Sequence, residues 1–160
     1  MSVEIIPAFD HLAEIRDLFS EYTDMLVSGD PSFREYLTLQ NYDSELDRPH
    51  EKYGPPGGRL LLALWDGIPA GCAALRKLDT QSCEMKRLYV RPEFRGRRIG
   101  RMLVQRILSD AREIGYRRML LDTLPFLDRA IQMYRNAGFY EIPGYNDSPM
   151  STSIYMRLDL

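Results

Sequence analysis

The stretch from residue 60 to residue 90 is compatible with few folds. LLLALW (60–65) and IPAGCAALRKL (68–78) are apolar runs flanking Asp66-Gly67, a pair suited to a type I′ turn because both positions tolerate positive φ. A second turn, around Asp79–Ser82, separates them from CEMKRLYV (83–90). Three strands joined this closely pair as an antiparallel meander. The third strand runs into RPEFRGRRIGR (91–101), where Pro92 and Gly96 interrupt it. From about Arg98, Ile99, Met102, Leu103, Ile107, Ala111 and Ile114 recur at helical spacing, and Gly115 ends the helix.

The flanking segments extend this core. Val3–Ile6 forms a first strand, and Asp10 caps a helix through about Val27. Ser28-Gly29-Asp30-Pro31 breaks it before a second helix from about Ser32 to Leu46, and RPHEKYGPPGG (48–58) reads as a mobile loop. RRMLLDT (117–123) has the composition of a buried strand. FLDRAIQMYRNAGF (126–139) is a helix closed by Gly138, and short strands near Phe139–Glu141 and Ser153–Leu158 finish the chain. The order β–α–α–β–β–β–α–β–α–β–β specifies a single α/β domain with a mixed sheet. Its 160 residues suffice for a core without metals or disulfides. Cys72 and Cys83 are too few and too isolated for a zinc site or a disulfide framework, and read as buried small residues in a reducing cytosol. No run is long enough for a membrane span, and the start lacks the regions of a signal peptide. The expected location is cytoplasmic, with no membrane partner.

Five arginines fall within residues 91–101, although the net charge is −2. A glycine-containing turn that opens a helix presents unpaired N–H groups and the positive end of the helix dipole to an anion. Gly96 and Gly100 let a phosphate approach the backbone closely. The segment matches neither GxxxxGK[ST] nor GxGxxG, which argues against nucleotide hydrolysis and dinucleotide binding. RNA recognition calls for aromatic residues interleaved with the basic ones, and here only Tyr89 and Phe94 are near, so no nucleic-acid partner is expected. A plain solvated helix start is the remaining alternative.

RGRRIG (95–100) resembles the Q/R-x-x-G-x-G/A pyrophosphate motif of the GNAT superfamily, the acetyl-CoA-dependent N-acetyltransferases. Arg95 and Gly100 match it, and Arg98 stands where the first glycine is usual. AIQMYRNAGF (130–139) is similar to that family's A-x-x-x-Y-x-x-x-G-F helix end, with Leu127 in place of a frequent asparagine. With LLLAL, AGCAAL and LDTL, the chain looks like a widespread bacterial branch whose acceptors are mostly unassigned. The resemblance implies a mostly antiparallel twisted sheet of about seven strands flanked by about four helices. It further implies an acetyl-CoA-binding core over 59–140, with acceptor-side elements at 1–58 and 141–160.

Residue roles follow from the same resemblance. Leu88, Tyr89 and Val90 would hold the pantetheine arm and thioester oxygen through main-chain groups. Arg95, Gly96, Arg97, Arg98, Ile99, Gly100 and Arg101 would hold the diphosphate, and Thr123 would line the cofactor site. Glu84, four residues before Leu88 as in the family's histone-acetylating branch, is the expected base. Strict alternation would place it on one face with Lys86, Leu88 and Val90, unless the family's bulge intervenes. Tyr134, four residues before Gly138-Phe139, is the expected acid. Each has a structural alternative: a surface carboxylate paired with a basic neighbour, and a packed aromatic ring. No metal is expected, and His11 and His50 read as solvent-facing.

Phe33, Tyr36, Tyr145 and Asp147 are candidates for the acceptor site. Residues 1–58 carry an acidic surplus of eight charges, which suggests a cationic, amine-bearing acceptor. The relatives' habits also allow a homodimer. A non-catalytic acyl-CoA sensor stays open beside the enzyme.

Overall fold

A computed structural model describes residues 2–160. Leu60 and Leu62 point to one side of the sheet and Leu61 and Ala63 to the other, and all four are buried. A strand apolar on both faces requires helices on both faces. The elements are β1 (Val3–Pro7), α1 (Leu12–Gly29), α2 (Phe33–Leu39), α3 (Tyr42–Asp47), α4 (Pro49–Tyr53), β2 (Arg59–Trp65), β3 (Ile68–Lys77) and β4 (Ser82–Val90). They continue with α5 (Ile99–Ile114), β5 (Arg118–Thr123), α6 (Asp128–Ala137), β6 (Tyr140–Ile142) and β7 (Ile154–Asp159), plus a 3₁₀ turn at Pro92–Phe94.

The sheet has seven strands in the order β1-β2-β3-β4-β5-β7-β6. Every pairing is antiparallel except β4 with β5. Asp66 and Gly67 both take positive φ, 48° and 82°, as a type I′ turn demands. One core lies between the sheet and α5, with Leu103, Ile107 and Ala111 against Ala73, Leu75 and Met85. The other lies on the opposite face, where Ile15, Leu18 and Phe19 of α1 meet Tyr53, Cys72 and Tyr89. Both cysteines are buried and unbonded.

The acceptor-side segment is more helical than its sequence suggests. The single helix expected over 32–46 is two, because Asn41 turns the chain in the left-handed region at φ 57°; asparagine tolerates that conformation better than most residues. Residues 48–58, expected as a mobile loop, contain α4, whose Tyr53 is fully buried. Among the described residues the helix count is therefore six. His50 is exposed and stacks on Phe9 at 4.3 Å between ring centroids. Among the described residues no helix is long and apolar enough to cross a membrane.

Candidate active site

β4 and β5 pair only from Ser82 to Glu84, opposite Arg118 to Leu120, and then diverge. The rest of β4 has no strand partner on that side, which leaves main-chain groups available to a ligand. β4 also carries a bulge: Ala74 faces Lys86 and Cys72 faces Tyr89, so Arg87 and Leu88 together oppose Ala73. Arg87 adopts φ 59°, the left-handed conformation that one class of bulge requires and usually gives to glycine. This bulge overturns the strict-alternation expectation. Leu88 and Val90 pack with Met85 against the α5-side core, whereas Tyr89 joins the α1-side core. Glu84 and Leu88 do not share a face.

The divergence opens a cleft of about 640 Å³. Leu88, Tyr89 and Val90 form one wall, and residues 95, 96 and 98–101 lie at its mouth. α5 begins without a side-chain cap and without an acidic residue in its first turn, so its first amides await an acceptor. Gly96 takes φ 82° with open space where a Cβ would project. Arg98 holds φ 63°, so an arginine adopts the left-handed conformation that suits glycine at this motif position. That geometry costs about 1–2 kcal/mol and places the residue directly before the helix.

The arginines divide by role. Arg95, Arg98 and Arg101 line the cleft. Arg95 is tethered by its Nε, which donates to the Val90 carbonyl at 3.1 Å. Arg91 is committed to Glu21, with Nη2 to Oε2 at 2.7 Å. Arg97 stays outside, stacked over Trp65 at 4.6 Å, so it is not part of the cleft wall as the motif suggested.

At its inner end the cleft meets a narrow chamber of about 30 Å³. Tyr22, Leu88, Leu127 and Tyr134 line both spaces. Tyr134 is 7% exposed, and among the described residues its hydroxyl donates to no protein group. Burial, with lesser contributions from Tyr22 and Asp122, pushes its pKa well up, which keeps the phenol protonated at neutral pH. Burial likewise raises Tyr22 to about 12. Phe33 and Tyr36 wall the chamber, and Thr123 lines this chamber rather than the outer cleft.

Polar groups cluster around the chamber. Asp122 of β5 accepts from the Tyr36 hydroxyl and from Asn146 Nδ2, the latter at 3.0 Å. Glu84 is 1% exposed and lines neither space. Its Oε1 accepts from Arg76 Nε at 2.7 Å and its Oε2 from the Tyr145 hydroxyl at 2.5 Å. Glu45 receives Arg87 Nε at 2.8 Å and Lys52 Nζ at 2.7 Å. Burial alone would raise the Glu45 pKa, but Arg87 and Lys52 reverse that and leave it at about 2. Asp147 is exposed and lines neither space. Among the described residues no three His, Cys, Asp or Glu side chains form a metal-binding group.

Polar chamber residues not singled out by sequence include Tyr22, Gln40, Lys86, Arg87 and Asp122, and Asn146 bonds to Asp122 from beside the chamber. For Lys86, Arg87 and Asp122 the available signal was charge inside strands, where they interrupt otherwise apolar runs. The acidic surplus of the first half mostly faces solvent. Within it only Glu45 is a buried carboxylate.

Residues 12–139 match the sequence profile of the acetyltransferase (GNAT) family. An uncharacterised N-acetyltransferase of Schizosaccharomyces pombe is 38% identical over all of this chain and 95% of its own length. An acetyltransferase structure from Streptococcus agalactiae superposes with a TM-score of 0.80 at 24% identity, covering 99% of this chain and 98% of that one. The PaiA N-acetyltransferase of Thermoplasma acidophilum, solved in complex with coenzyme A, gives 0.77 at 18% identity with both chains fully covered.

Proposed function

Because this chain belongs to the acetyltransferase (GNAT) family, we propose that it binds acetyl-CoA in the β4–β5 cleft and transfers the acetyl group directly to an amine in the adjoining chamber. The observation that carries this proposal is the junction of the two spaces at Leu88 and Tyr134. A thioester laid along β4 would end there, and an amine in the chamber would meet it without a covalent enzyme intermediate.

The cleft suits the cosubstrate. The opening turn of α5, Gly96 and the guanidinium groups of Arg95, Arg98 and Arg101 supply main-chain and charged donors for a diphosphate. Bound acetyl-CoA supplies an acetyl thioester: a C–N bond forms as the C–S bond breaks, the amine loses a proton and the thiolate gains one. Main-chain N–H groups of β4 are fixed in place before charge develops on the thioester oxygen. Tyr134 holds a protonated hydroxyl at the junction and delivers its proton to the leaving sulfur.

An alkyl amine with a pKa of about 10 arrives protonated, so the chamber must orient it and draw off a proton. Asp122 is the carboxylate that faces the chamber, held by Tyr36 and Asn146. We assign the amine contact to Asp122. Glu84, expected as the base, then serves as a positioning residue that fixes Arg76 and Tyr145. Amine acetylation is tested by thiol release from acetyl-CoA across a panel of amines, with calorimetry on coenzyme A as control. Amine-dependent thiol release is expected. Tight coenzyme A binding with no transfer to any amine would favour the acyl-CoA sensor instead.

A further inference from the structure

Lys86 is buried to 8% exposure and lines the chamber, yet among the described residues no carboxylate lies within hydrogen-bonding distance of its ammonium. Its one hydrogen bond goes to Gln40 Oε1 at 3.0 Å. The nearest carboxylate oxygen, Glu84 Oε1, is 3.8 Å away and already accepts from Arg76 at 2.7 Å. The other Glu84 oxygen accepts from Tyr145. Arg87 Nη2 also donates to Gln40 Oε1, at 2.9 Å, while sharing Glu45 Oε1 at 3.0 Å. Two cationic donors therefore converge on one neutral amide oxygen.

The charges around this point do not balance. Arg76, Lys86, Arg87 and Lys52 stand against Glu84, Glu45 and, beyond hydrogen-bonding distance of Lys86, Asp122. A buried ammonium whose nearest anion, at 3.8 Å, is already shared with a guanidinium is costly, because water has been removed and opposite charge replaces it only in part. An amide oxygen carries only a partial charge and compensates poorly. A carboxylate oxygen in the same place would accept from both donors as a charge-assisted pair. Gln40 is half-buried at the end of the seven-residue helix α2, so its side chain can turn outward and widen the chamber as it leaves. Asp122, also lining the chamber, offers the opposite charge to an ammonium.

We propose that the chamber selects acceptors carrying a carboxylate as well as the amine, the carboxylate replacing the Gln40 amide oxygen between Lys86 and Arg87 while the amine lies at Asp122. This rests on acetyl transfer to an amine as proposed above, and it names the acceptor class as amino acids and related amino-carboxylates. Lys86 and Gln40 become the specificity-determining residues. Of the acidic residues of the first half, Glu45 enters this selection by holding Arg87 in place.

The test compares each small amino acid with the amine that lacks its carboxylate: glycine with methylamine, and L-alanine with ethylamine. In the wild-type enzyme kcat/KM for the acid should exceed that for its amine by about 30-fold or more, the worth of a charge-assisted hydrogen bond. Gln40→Glu places a carboxylate between Lys86 and Arg87 from within. It should raise KM for the amino acids by about 30-fold, while KM for acetyl-CoA changes by less than about twofold. Lys86→Met should erase the preference between the paired substrates, and its melting temperature reports whether it folds. Equal or greater activity with the simple amines in the wild-type enzyme would overturn the proposal. If no amine of either kind releases thiol, amine acetylation itself fails. The carboxylate site is then judged by calorimetric titration of the coenzyme A complex with the same pairs, where absence of any preference for the acids overturns it.

Discussion

Replacing Gly100 with alanine should separate stability from cofactor binding. Gly100 lies in the first turn of α5 and lines the cleft. A Cβ built there meets Met133 Sδ at 3.5 Å and Val90 Cγ2 at 3.6 Å, ordinary contacts that need no rearrangement. The ligand-free protein should therefore gain from alanine's better helix propensity, about 0.5–1 kcal/mol. For a domain of this size that raises the melting temperature by about 1–4 °C. A diphosphate gripped by the opening amides of α5 would meet the new methyl group and lose one charge-assisted hydrogen bond, worth about 1.5–3 kcal/mol. Coenzyme A affinity should fall by about 10- to 150-fold. Calorimetric titration and thermal unfolding on the same samples read both effects. A raised melting temperature with unchanged affinity would refute the placement of the diphosphate at this helix start.

The other predictions concern proton transfer and the buried charges. Tyr134→Phe should lower kcat by about 100-fold and leave coenzyme A affinity within about twofold, read by paired kinetics and calorimetry; unchanged kcat removes the phenol from the reaction. Asp122→Asn should depress kcat/KM for amines more than Glu84→Gln does, and their pH–rate profiles show which carboxylate the amine depends on. Glu45→Gln leaves the buried Arg87 charge uncompensated and should cost about 3–5 kcal/mol, a drop of roughly 10 °C in melting temperature. The Glu45 carboxyl ionises at about 2 when folded against its ordinary 4.5, so it contributes roughly 3 kcal/mol above about pH 5. This contribution should fade as pH falls from 4.5 towards 2, and acid-unfolding curves should show Glu45→Gln losing less over that window.

The fold was legible where local chemistry dictates it. Asp66-Gly67 forces a hairpin, apolar runs on both faces of β2 require two helical layers, and the turn before Ile99 leaves helix amides unpaired. The glycine–arginine turn beside the cleft was legible from the same local signals, but Arg97 found Trp65 instead and Thr123 lines the chamber. The chamber was less legible because its geometry depends on events that leave little trace in sequence. The bulge at Arg87 reverses the parity of β4, which separates Glu84 from Leu88 and gives Lys86 and Arg87 their place beside Gln40. Asn41 splits one helix into two, which puts Gln40 at a helix end and sends Glu45 inward to meet Arg87. Asp122 and Asn146 meet across 24 residues of sequence, a distance over which periodicity carries no information.

Calorimetric titration of the wild-type protein with coenzyme A and with pantetheine, which lacks the nucleotide and diphosphate, tests the central claim most directly. If the glycine–arginine turn anchors the cosubstrate, coenzyme A should bind at least about 100-fold more tightly than pantetheine, and the difference should shrink in Gly100→Ala. Equal affinities, or no binding of coenzyme A, would contradict the assignment of this cleft.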